Sequence, residues 1–388
     1  MSLANKIGSL VLVSMLAGCA SLTENVTTGF GLFGAPKVIE RAELQEFKPS
    51  AKAAMLWRQQ LGAASGFVFV PVVAADSVFA AGLDGQIARF EAGNGKQTWR
   101  IDSGRKLSSG VGGGAQLVLV GTIKGDVLAF AEDGSTLWQT KVSSEILSAP
   151  QVAEGTVVVR TGDGRIFGLD AKDGKQKWVY QRAMPALALR NFAGVAITRG
   201  AVLAGFPGGK LVALNLTNGT IGWEANVALP RGATELERIA DITSLPVADA
   251  NMVCAVAFQG RVACFDLMRG NQLWAREISS ISGLTMDNRY LYVSDAKGAV
   301  HALDKNSGGS IWKQDKLLGR QLSSPLVING FVAVADYQGY VHFLSRDDGN
   351  FAARIATDGS AVVAPPLALN GNILLQTVNG SVVALSID

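Results

Sequence analysis

The chain of 388 residues is 48% hydrophobic and 17% charged. This balance excludes a disordered chain, which cannot bury enough apolar surface, and it also excludes a bundle of membrane-spanning helices. The formal net charge is only +3 and no run of Lys or Arg exceeds two residues, which excludes a nucleic-acid-binding protein that works through bulk positive charge.

The first eighteen residues have the pattern of a bacterial signal peptide. One cation, Lys6, precedes an apolar stretch from Ile7 to Ala17, which is too short for a permanent membrane span. The motif Leu16-Ala17-Gly18-Cys19 is similar to a lipobox, in which the cysteine is acylated before cleavage. We therefore expect residues 1–18 to be removed and Cys19 to carry a diacylglyceryl group and an N-linked acyl chain such as palmitate. An ordinary secretory signal with an incidental cysteine is the alternative.

Residues 19–50 carry no sustained hydrophobic period, and we interpret them as a flexible, lipidated tether. Ala20 follows the cysteine, whereas an Asp at this position favours retention in the inner membrane of Gram-negative bacteria. These features predict a lipid-anchored protein on the periplasmic face of the outer membrane. Its globular part, residues 51–388, would lie beside the bilayer and not in it.

Beyond residue 50, one unit recurs eight times. The full unit contains an apolar strand, a turn ending in glycine, a second strand, another glycine turn and a strand that in six of the eight units carries Trp. The first turns contain Gly85, Gly125, Gly164, Gly209, Gly260, Gly298, Gly339 and Gly380, which are 38 to 51 residues apart. The Trp positions are Trp99, Trp138, Trp178, Trp223, Trp274 and Trp312, with Ala353 in the place of the next one. A period near 40 with four short strands predicts the blade of a β-propeller.

The two ends of the chain predict how the ring closes. Trp57 heads a strand with no hairpin before it, and the chain stops at Asp388, after the last hairpin but before any Trp strand. The N-terminal strand can therefore complete the C-terminal blade, which leaves no gap in the ring. We predict an all-β fold, one eight-bladed β-propeller with four-stranded blades, in which the Trp side chains pack between neighbouring blades.

The segments Gly95-Lys96-Gln97-Thr98-Trp99 and Gly174-Lys175-Gln176-Lys177-Trp178 resemble the repeat of quinoprotein-type propellers. The resemblance makes a periplasmic quinoprotein-like dehydrogenase the alternative function. Those enzymes hold their quinone beneath a disulfide between adjacent cysteines and beside a calcium ion, and this chain has no adjacent cysteine pair. Spacings typical of zinc proteases, serine hydrolases and P-loops are also absent from the sequence. We therefore predict a non-catalytic protein without a cofactor.

Two cysteines and two histidines remain as candidates for chemistry. A three-residue loop ending at Gly260 would set Cys254 opposite Cys264, so that these two either form a cross-strand disulfide or simply pack. His301 and His342 each stand three residues after a hairpin glycine on adjacent blades. Two histidines are too few for a metal site, so we expect packing roles and no bound metal.

The repeat is lengthened at two neighbouring places. From each Trp to the next hairpin glycine there are 24 to 28 residues, except for 31 after Trp178 and 37 after Trp223. Both longer connections leave the same rim of adjacent blades, so we expect them to form one surface. They contain residues 184–190 and 234–241, in which exposed leucines and an arginine suit a protein contact. The alternative is that Leu187 and Leu189 fold under their own loop while Arg190 pairs with Glu237 or Asp241.

With these segments, the lipobox and the eight quinoprotein-like blades, the chain resembles the BamB family of lipoprotein propellers over essentially its full length. In that family the Leu-x-Leu-Arg motif and nearby acids dock onto the periplasmic domains of BamA, the central subunit of the outer-membrane β-barrel assembly machinery. Thr243 departs from the pattern, because family members carry a second acid there. The resemblance implies a partner-binding site, with the adjoining charges included, at Leu187, Leu189, Arg190, Glu235, Glu237, Arg238 and Asp241.

The function that this resemblance implies is a non-catalytic scaffold that assists the folding and insertion of outer-membrane β-barrel proteins. The expected partners are a BamA-like central subunit, other lipoproteins of the assembly complex, unfolded outer-membrane proteins and the membrane through the lipid anchor, but no nucleic acid. The blade edges would offer backbone pairing to nascent strands. The dehydrogenase above and a sugar- or peptidoglycan-binding propeller are the other classes, and no feature favours the last.

Overall fold

The computed structural model describes residues 40–114, 116–190 and 192–388. Within these ranges the secondary structure consists of strands, which form eight four-stranded antiparallel sheets. The predicted eight-bladed propeller is confirmed. A helix long and apolar enough to span a bilayer does not occur among the described residues. The predicted signal peptide and Cys19 lie outside them.

Blades 1 to 7 each use four strands that follow one another along the chain from the centre of the ring to its circumference. Blade 1 contains β2 (Val72–Ala74), β3 (Ser77–Ala81), β4 (Gln86–Glu91) and β5 (Gln97–Asp102), and blade 2 contains β6 (Gly112–Gly114), β7 (Leu117–Gly121), β8 (Asp126–Phe130) and β9 (Thr136–Lys141). Blade 3 contains β10 (Gln151–Ala153), β11 (Thr156–Arg160), β12 (Arg165–Asp170) and β13 (Gln176–Gln181), and blade 4 contains β14 (Ala196–Thr198), β15 (Ala201–Phe206), β16 (Lys210–Asn215) and β17 (Ile221–Asn226).

The second half of the ring repeats this order. Blade 5 contains β18 (Val247–Ala248), β19 (Met252–Val256), β20 (Val262–Asp266) and β21 (Gln272–Arg276), and blade 6 contains β22 (Gly283–Met286), β23 (Tyr290–Ser294), β24 (Val300–Asp304) and β25 (Ser310–Gln314). Blade 7 contains β26 (Leu326–Ile328), β27 (Phe331–Ala335), β28 (Tyr340–Ser345) and β29 (Phe351–Ala356). Blade 8 contains β30 (Leu367–Leu369), β31 (Asn372–Gln376), β32 (Ser381–Ile387) and, on its outside, β1 (Ala53–Gln60).

The pairing of β1 with β32 closes the ring as predicted. The two strands are antiparallel, from Ala53 opposite Ile387 to Gln60 opposite Ser381, with an irregularity between Met55 and Trp57. The last blade is thus built from both ends of the folded chain. Because each blade is an antiparallel meander, its middle hairpin and its connection to the next blade lie at the same end of the strands. We call this side of the ring the connection face.

The core lies between the blades and not within one sheet. The second strands β3, β7, β11, β19 and β27 are buried almost throughout, whereas the outermost strands alternate between buried and exposed side chains. Each sheet therefore packs one face on the preceding blade and the other on the following blade, as the two inner faces of a sandwich do. The fold is a closed series of such joints.

A Trp on the outermost strand forms seven of the eight joints. Its indole nitrogen donates to a backbone carbonyl in the third-to-fourth-strand turn of the next blade, at 2.8 to 3.0 Å. The acceptors, in order from Trp57 to Trp312, are Ala92, Glu132, Ala171, Leu216, Leu267, Lys305 and Arg346. The expectation that these residues pack between blades is met, and burial of the ring is combined with satisfaction of its one donor.

Glycines in those turns make room for the indole. At Gly219, for example, the backbone is left-handed with φ of +72°, and an added Cβ would lie 2.6 Å from the ring of Trp178. The same close approach recurs in five of the other turns, in each of which an added Cβ would lie 2.5 to 2.7 Å from the indole of the preceding blade. These glycines therefore serve two purposes, since they allow the turn and they admit the neighbouring Trp.

The joint between blades 7 and 8 has Ala353 at the Trp position. Because β32 and β1 come from opposite ends of the chain, blade 8 has no hairpin between its outer two strands for an indole to reach. The N-terminal segment fills this place. The amide groups of Ser50 and Ala51 donate to the carbonyl of Ala352 at 2.9 and 3.2 Å, and Lys52 exchanges two backbone hydrogen bonds with Asp388.

The segment of residues 40–50 was expected to belong to the tether, but it packs against blade 7, so the boundary predicted at residue 50 is too late. The amide of Ala42 donates to Leu318 at 2.9 Å, and the ring of Phe47 stacks on Phe351 with centroids 5.3 Å apart. Its few apolar and backbone groups are used in these contacts. The sequence does not predict these contacts, because the segment follows an outer edge and forms neither a helix nor a strand. It therefore has no hydrophobic period.

A buried ionic cluster in blade 7 lies beneath this segment. The guanidinium of Arg320 donates to Asp336 and to the carbonyl of Ala42. Asp336 also faces Nε2 of the fully buried His342 at 3.0 Å, and Arg354 donates to Nδ1 of the same ring at 3.1 Å. An Nδ1 atom that accepts a hydrogen bond requires a neutral ring. Burial accordingly lowers the pKa of His342, against the opposing effect of Asp336.

Three further expectations can be compared with the structure. Cys254 and Cys264 are opposite each other in β19 and β20 and their sulfurs are bonded. The two histidines do not touch; each pairs with an Asp of its own blade, His301 with Asp295 at 2.8 Å and His342 with Asp336. No cluster of three or more His, Cys, Asp or Glu side chains suited to a metal occurs among the described residues.

The joint geometry predicts a large cost for removing one indole. We expect Trp138→Ala to lower the free energy of unfolding by about 3 to 5 kcal/mol, because it removes a buried ring and leaves the carbonyl of Ala171 without its donor. The neighbouring Leu137→Ala is the matched control, since that side chain is 50% exposed on the other face of β9. Equal losses for the two variants in urea unfolding would contradict the role assigned to the joint.

The His342 site predicts a pH dependence of stability. In the folded protein its pKa is lowered, so as the pH falls through about 6.5 the unfolded chain takes up a proton that the folded chain does not. The free energy of unfolding should therefore decrease from pH 7 to pH 5, by at most about 1.4 kcal/mol per pH unit for one proton. His342→Gln should reduce this dependence of the unfolding free energy on pH, although the variant still contains His301. An unchanged slope in urea titrations at several pH values would refute the assignment.

Candidate partner-docking site

Two long connections on the connection face form the candidate site. The first insertion, residues 182–195, joins blade 3 to blade 4, and the second insertion, residues 227–246, joins blade 4 to blade 5. Both follow outermost strands and precede innermost strands, so they leave the ring at adjacent blades as the repeat spacing predicts. In the structure they also contact each other directly.

Asp241 makes the contact between the two insertions. One carboxylate oxygen accepts a hydrogen bond from the amide of Leu189 at 2.8 Å, and the other accepts one from the amide of Gly208 at 3.0 Å. Gly208 lies in the middle hairpin of blade 4, so a single side chain from the second insertion holds the first insertion and the blade beneath it. Asp241 is only 1% exposed. It therefore positions the surface, and the expectation that it touches a partner itself does not fit this burial.

The leucines of the first insertion are not folded under their own loop. Leu187 is 40% exposed, Met184 is exposed to a similar degree, and Leu189 is half-buried beside the carboxylate of Asp241. The first insertion thus presents a small apolar surface with Leu187 at its centre.

Arg190 pairs with neither Glu237 nor Asp241, the two partners considered from the sequence. Its guanidinium faces Glu145 in the connection between blades 2 and 3, with an N–O distance of 3.4 Å. It also lies over the ring of Phe67, from the connection between blades 8 and 1, at 5.0 Å from the centroid. The ring of Phe192 is at 5.4 Å on the same side chain. Residues from three connections therefore fix a cation whose side chain is still 49% exposed.

The second insertion contains a self-bonded turn. The carboxylate of Glu237 accepts hydrogen bonds from the amides of Ala233 and Thr234 at 2.8 and 3.0 Å, and the hydroxyl of Thr234 accepts one in return from the amide of Glu237. This reciprocal pattern is that of a capping box. The two backbone donors lower the pKa of Glu237. Its charge is thus used mainly within the turn.

The other two charges of this turn also bond locally. Arg238 donates to the carbonyl of Gly232 at 3.1 Å and approaches Glu235 at 3.4 Å, and both side chains remain exposed. Thr243, where the family pattern has an acid, donates its hydroxyl to the carbonyl of Ile281 at 3.0 Å. At this position the chain thus uses a neutral link to the next connection.

Sequence reasoning missed Glu145, Phe67 and Leu236. Leu236 projects from the capped turn with 67% of its surface exposed. Its neighbours Glu235 and Glu237 drew attention by their charge, whereas a single leucine in a polar segment gives little signal. Glu145 and Phe67 lie 45 and 123 residues before Arg190, in connections of ordinary length, and only the closed ring brings them to it.

Comparison with known proteins gives one consistent result. The family model described as "Outer membrane protein assembly factor BamB" matches residues 83–314 and 296–388. A protein of that name from Nitrosomonas eutropha is 44% identical over 325 residues, which are 83% of this chain and 80% of the relative. A second, from Burkholderia pseudomallei, is 42% identical over 74% of this chain and 75% of the relative.

Solved structures extend the comparison to the fold. The crystal structure of BamB from Moraxella catarrhalis is similar with a TM-score of 0.80 and 26% identity, and it covers 86% of this chain and all of that one. The quinohemoprotein alcohol dehydrogenase from Comamonas testosteroni has a TM-score of 0.70 at 13% identity, over 86% of this chain and 76% of the enzyme. The likeness to the dehydrogenase shows a shared propeller fold and nothing about activity.

The position of Asp241 predicts a local effect of its substitution. Asp241→Asn replaces one acceptor by a donor that faces a backbone amide, so we expect about 1 to 3 kcal/mol of lost stability. Hydrogen exchange should become faster at the amides of Leu189 and Gly208, and stay unchanged in the turn at Thr234. Unchanged exchange at both amides would show that the carboxylate does not hold the two insertions.

Proposed function

Because this chain belongs to the BamB family of outer membrane protein assembly factors, we propose that it is a non-catalytic scaffold of the outer-membrane protein assembly complex. It would dock on a BamA-like central barrel subunit and assist the folding and insertion of β-barrel proteins. The observation that carries this proposal is the pair of insertions on one face, tied together through Asp241, which presents Leu187 and Arg190 to solvent.

The chemistry of that surface suits a protein partner. An apolar centre next to a guanidinium, with charged residues at the edge, is the usual composition of a protein–protein contact. Arg190 is already ordered by Phe67 and Glu145, which reduces the entropy that binding must overcome. Leu187, Leu189 and Arg190 are proposed as the central residues of the docking site, with Glu235, Glu237 and Arg238 at its edge and Asp241 as its support.

The proposed location is the periplasmic face of the outer membrane. It rests on the lipobox at Leu16-Ala17-Gly18-Cys19 and on Ala20, which does not favour inner-membrane retention. Acylated Cys19 would precede Glu40, the first described residue, by 21 positions. A random coil of that length has an end-to-end distance of about 25 Å. The propeller could then reach periplasmic domains near the bilayer, including those of the other lipoproteins of the complex.

The outer edges of the blades are proposed to meet unfolded outer-membrane proteins. The fourth strands of most blades form the circumference of the ring and have no strand beyond them, and they carry exposed apolar side chains: Leu137, Val179, Ile221, Leu273 and Ile311. A strand edge with apolar neighbours is a template for the addition of an extended segment. A nascent β-strand fits such an edge through its backbone, whatever its sequence.

The docking proposal predicts separate losses from its two central residues. Leu187→Ala and Arg190→Ala, each in the full lipidated chain, should bind the BamA-like subunit at least about tenfold more weakly, because each removes a contact made only in the complex. Co-purification from solubilised membranes and titration with the purified subunit are the measurements. The melting temperature should change little, since Leu187 is 40% exposed and the side chain of Arg190 is 49% exposed.

Matched controls exist on other parts of the ring. Leu273→Ala changes a leucine of similar exposure on the outer strand of blade 5, and Arg269→Ala changes an exposed arginine on the face opposite the insertions. Both should bind the subunit as the unaltered protein does. If Leu187→Ala and Arg190→Ala also retain full binding, the insertions are not the docking site.

A further inference from the structure

The middle hairpin of blade 5 has a backbone unlike the others. In the other seven blades the hairpin glycine adopts a left-handed conformation, with φ between +72° and +96°. In blade 5 the left-handed residue is Gln259, with φ of +48°, and Gly260 is not left-handed. A residue with a Cβ is disfavoured in this region by roughly 1 kcal/mol or more.

The side chain of Gln259 explains this conformation. Its side-chain amide faces the carbonyl oxygens of Leu236 and Ile239, each at 3.1 Å, and because both groups are acceptors we assign the amide nitrogen, the donor, to this side. These two carbonyls belong to the capped turn that carries the exposed Leu236. The left-handed backbone directs the side-chain amide of Gln259 to that turn. The backbone amide of Gln259 donates to the hydroxyl of Ser279 at 2.9 Å.

The rest of the hairpin holds both ends of the second insertion. Arg261 donates to the carbonyl of Val227 at the beginning of the insertion, at 2.6 Å, and the amide of Phe258 donates to the carbonyl of Asp241 near its end, at 2.8 Å. Gly260 lies so close to Ala228 that an added Cβ would be 2.7 Å from the Ala228 methyl group. The glycine is therefore needed here for close approach and not for its φ angle.

The strands beneath this hairpin are cross-linked. Cys254 and Cys264 join β19 to β20 three residues before Ala257 and three after Arg261, the pair that closes the loop. The cross-link restricts the hairpin to one register. The second insertion is thus held at its start, its tip and its end by a hairpin that is itself fixed.

We propose that Gln259 is a positioning residue of the docking surface: it holds the turn of the second insertion so that Leu236 projects on the same face of the ring as Leu187 and Arg190, as an additional apolar contact for the same partner. This inference rests on the proposed function. Leu236 is 67% exposed on a turn that is fixed by its own capping box and by Gln259. Such a rigid, protruding leucine requires little ordering when a partner covers it.

Gln259→Gly separates this role from general stability. Glycine tolerates φ of +48° without strain, so the melting temperature should be unchanged or higher, while the two hydrogen bonds to the turn are lost. Affinity for the BamA-like subunit should fall by roughly three- to tenfold, the range expected for losing one or two modest hydrogen bonds that order a contact. Hydrogen exchange at residues 233–239 should become faster in the free protein.

Two further variants complete the experiment with the full lipidated chain. Gln259→Glu keeps the size of the side chain but replaces its donor by a carboxylate, so it should weaken binding at least as much as Gln259→Gly. Glu154→Gly is the matched control, because Glu154 has the same φ of +48° in a turn on the opposite face. It should leave the affinity unchanged.

The outcomes separate this inference from the proposed function. If Gln259→Gly binds the subunit normally while Arg190→Ala does not, the docking site stands and the role of Gln259 is refuted. If Glu154→Gly weakens binding equally, the effect is not local and the role is again refuted. If Leu187→Ala and Arg190→Ala both bind normally, the proposed docking site itself fails.

Discussion

The contact between an indole and the turn of the next blade is the interaction on which the ring depends. Each such joint needs three features in one register: a Trp on the outermost strand, a hairpin between the third and fourth strands of the following blade, and in most blades a glycine that lets the ring approach. Its energy is the burial of a large ring together with one satisfied donor. Every joint is formed between neighbouring repeats. The Gly and Trp residues must therefore recur with the period of the blades for the ring to close.

That constraint explains the departure at the last joint. A Trp in place of Ala353 would have no hairpin to reach, because the outer strands of blade 8 come from the two ends of the chain. Residues 40–52 replace the missing hairpin with backbone hydrogen bonds, and Arg320 from the connection below binds the carbonyl of Ala42. The residues that close the ring are therefore those that continue towards the proposed lipid anchor. Residues 40–50, which the sequence pattern assigns to the end of the tether, are therefore part of the fold.

The sequence predicts well whatever repeats with the blades. The eight units, the closing strand and the adjacency of the two insertions follow from the spacing of Gly and Trp, since these residues have backbone and packing reasons to recur. It predicts poorly what occurs once. Arg190 pairs with Glu145 and not with a nearby acid, Asp241 is a buried link between the two insertions, and Gln259 instead of Gly260 is the left-handed residue of its hairpin. Each depends on a contact between connections that are distant in sequence and have no period.

The intramolecular contacts of Arg190 raise the question of whether they oppose docking. The pair with Glu145 is long at 3.4 Å and both side chains are partly exposed, so it is worth no more than about 1 kcal/mol. Holding a free arginine in one rotamer on binding costs about 0.5 to 1.5 kcal/mol. The stack on Phe67 and the pair with Glu145 already order the Arg190 side chain in the free protein, so that binding does not have to order it. The guanidinium also has donors left for a second acceptor. A partner carboxylate can therefore join the pair instead of displacing Glu145. The contacts of Arg190 within the ring therefore favour the proposed docking contact and do not oppose it.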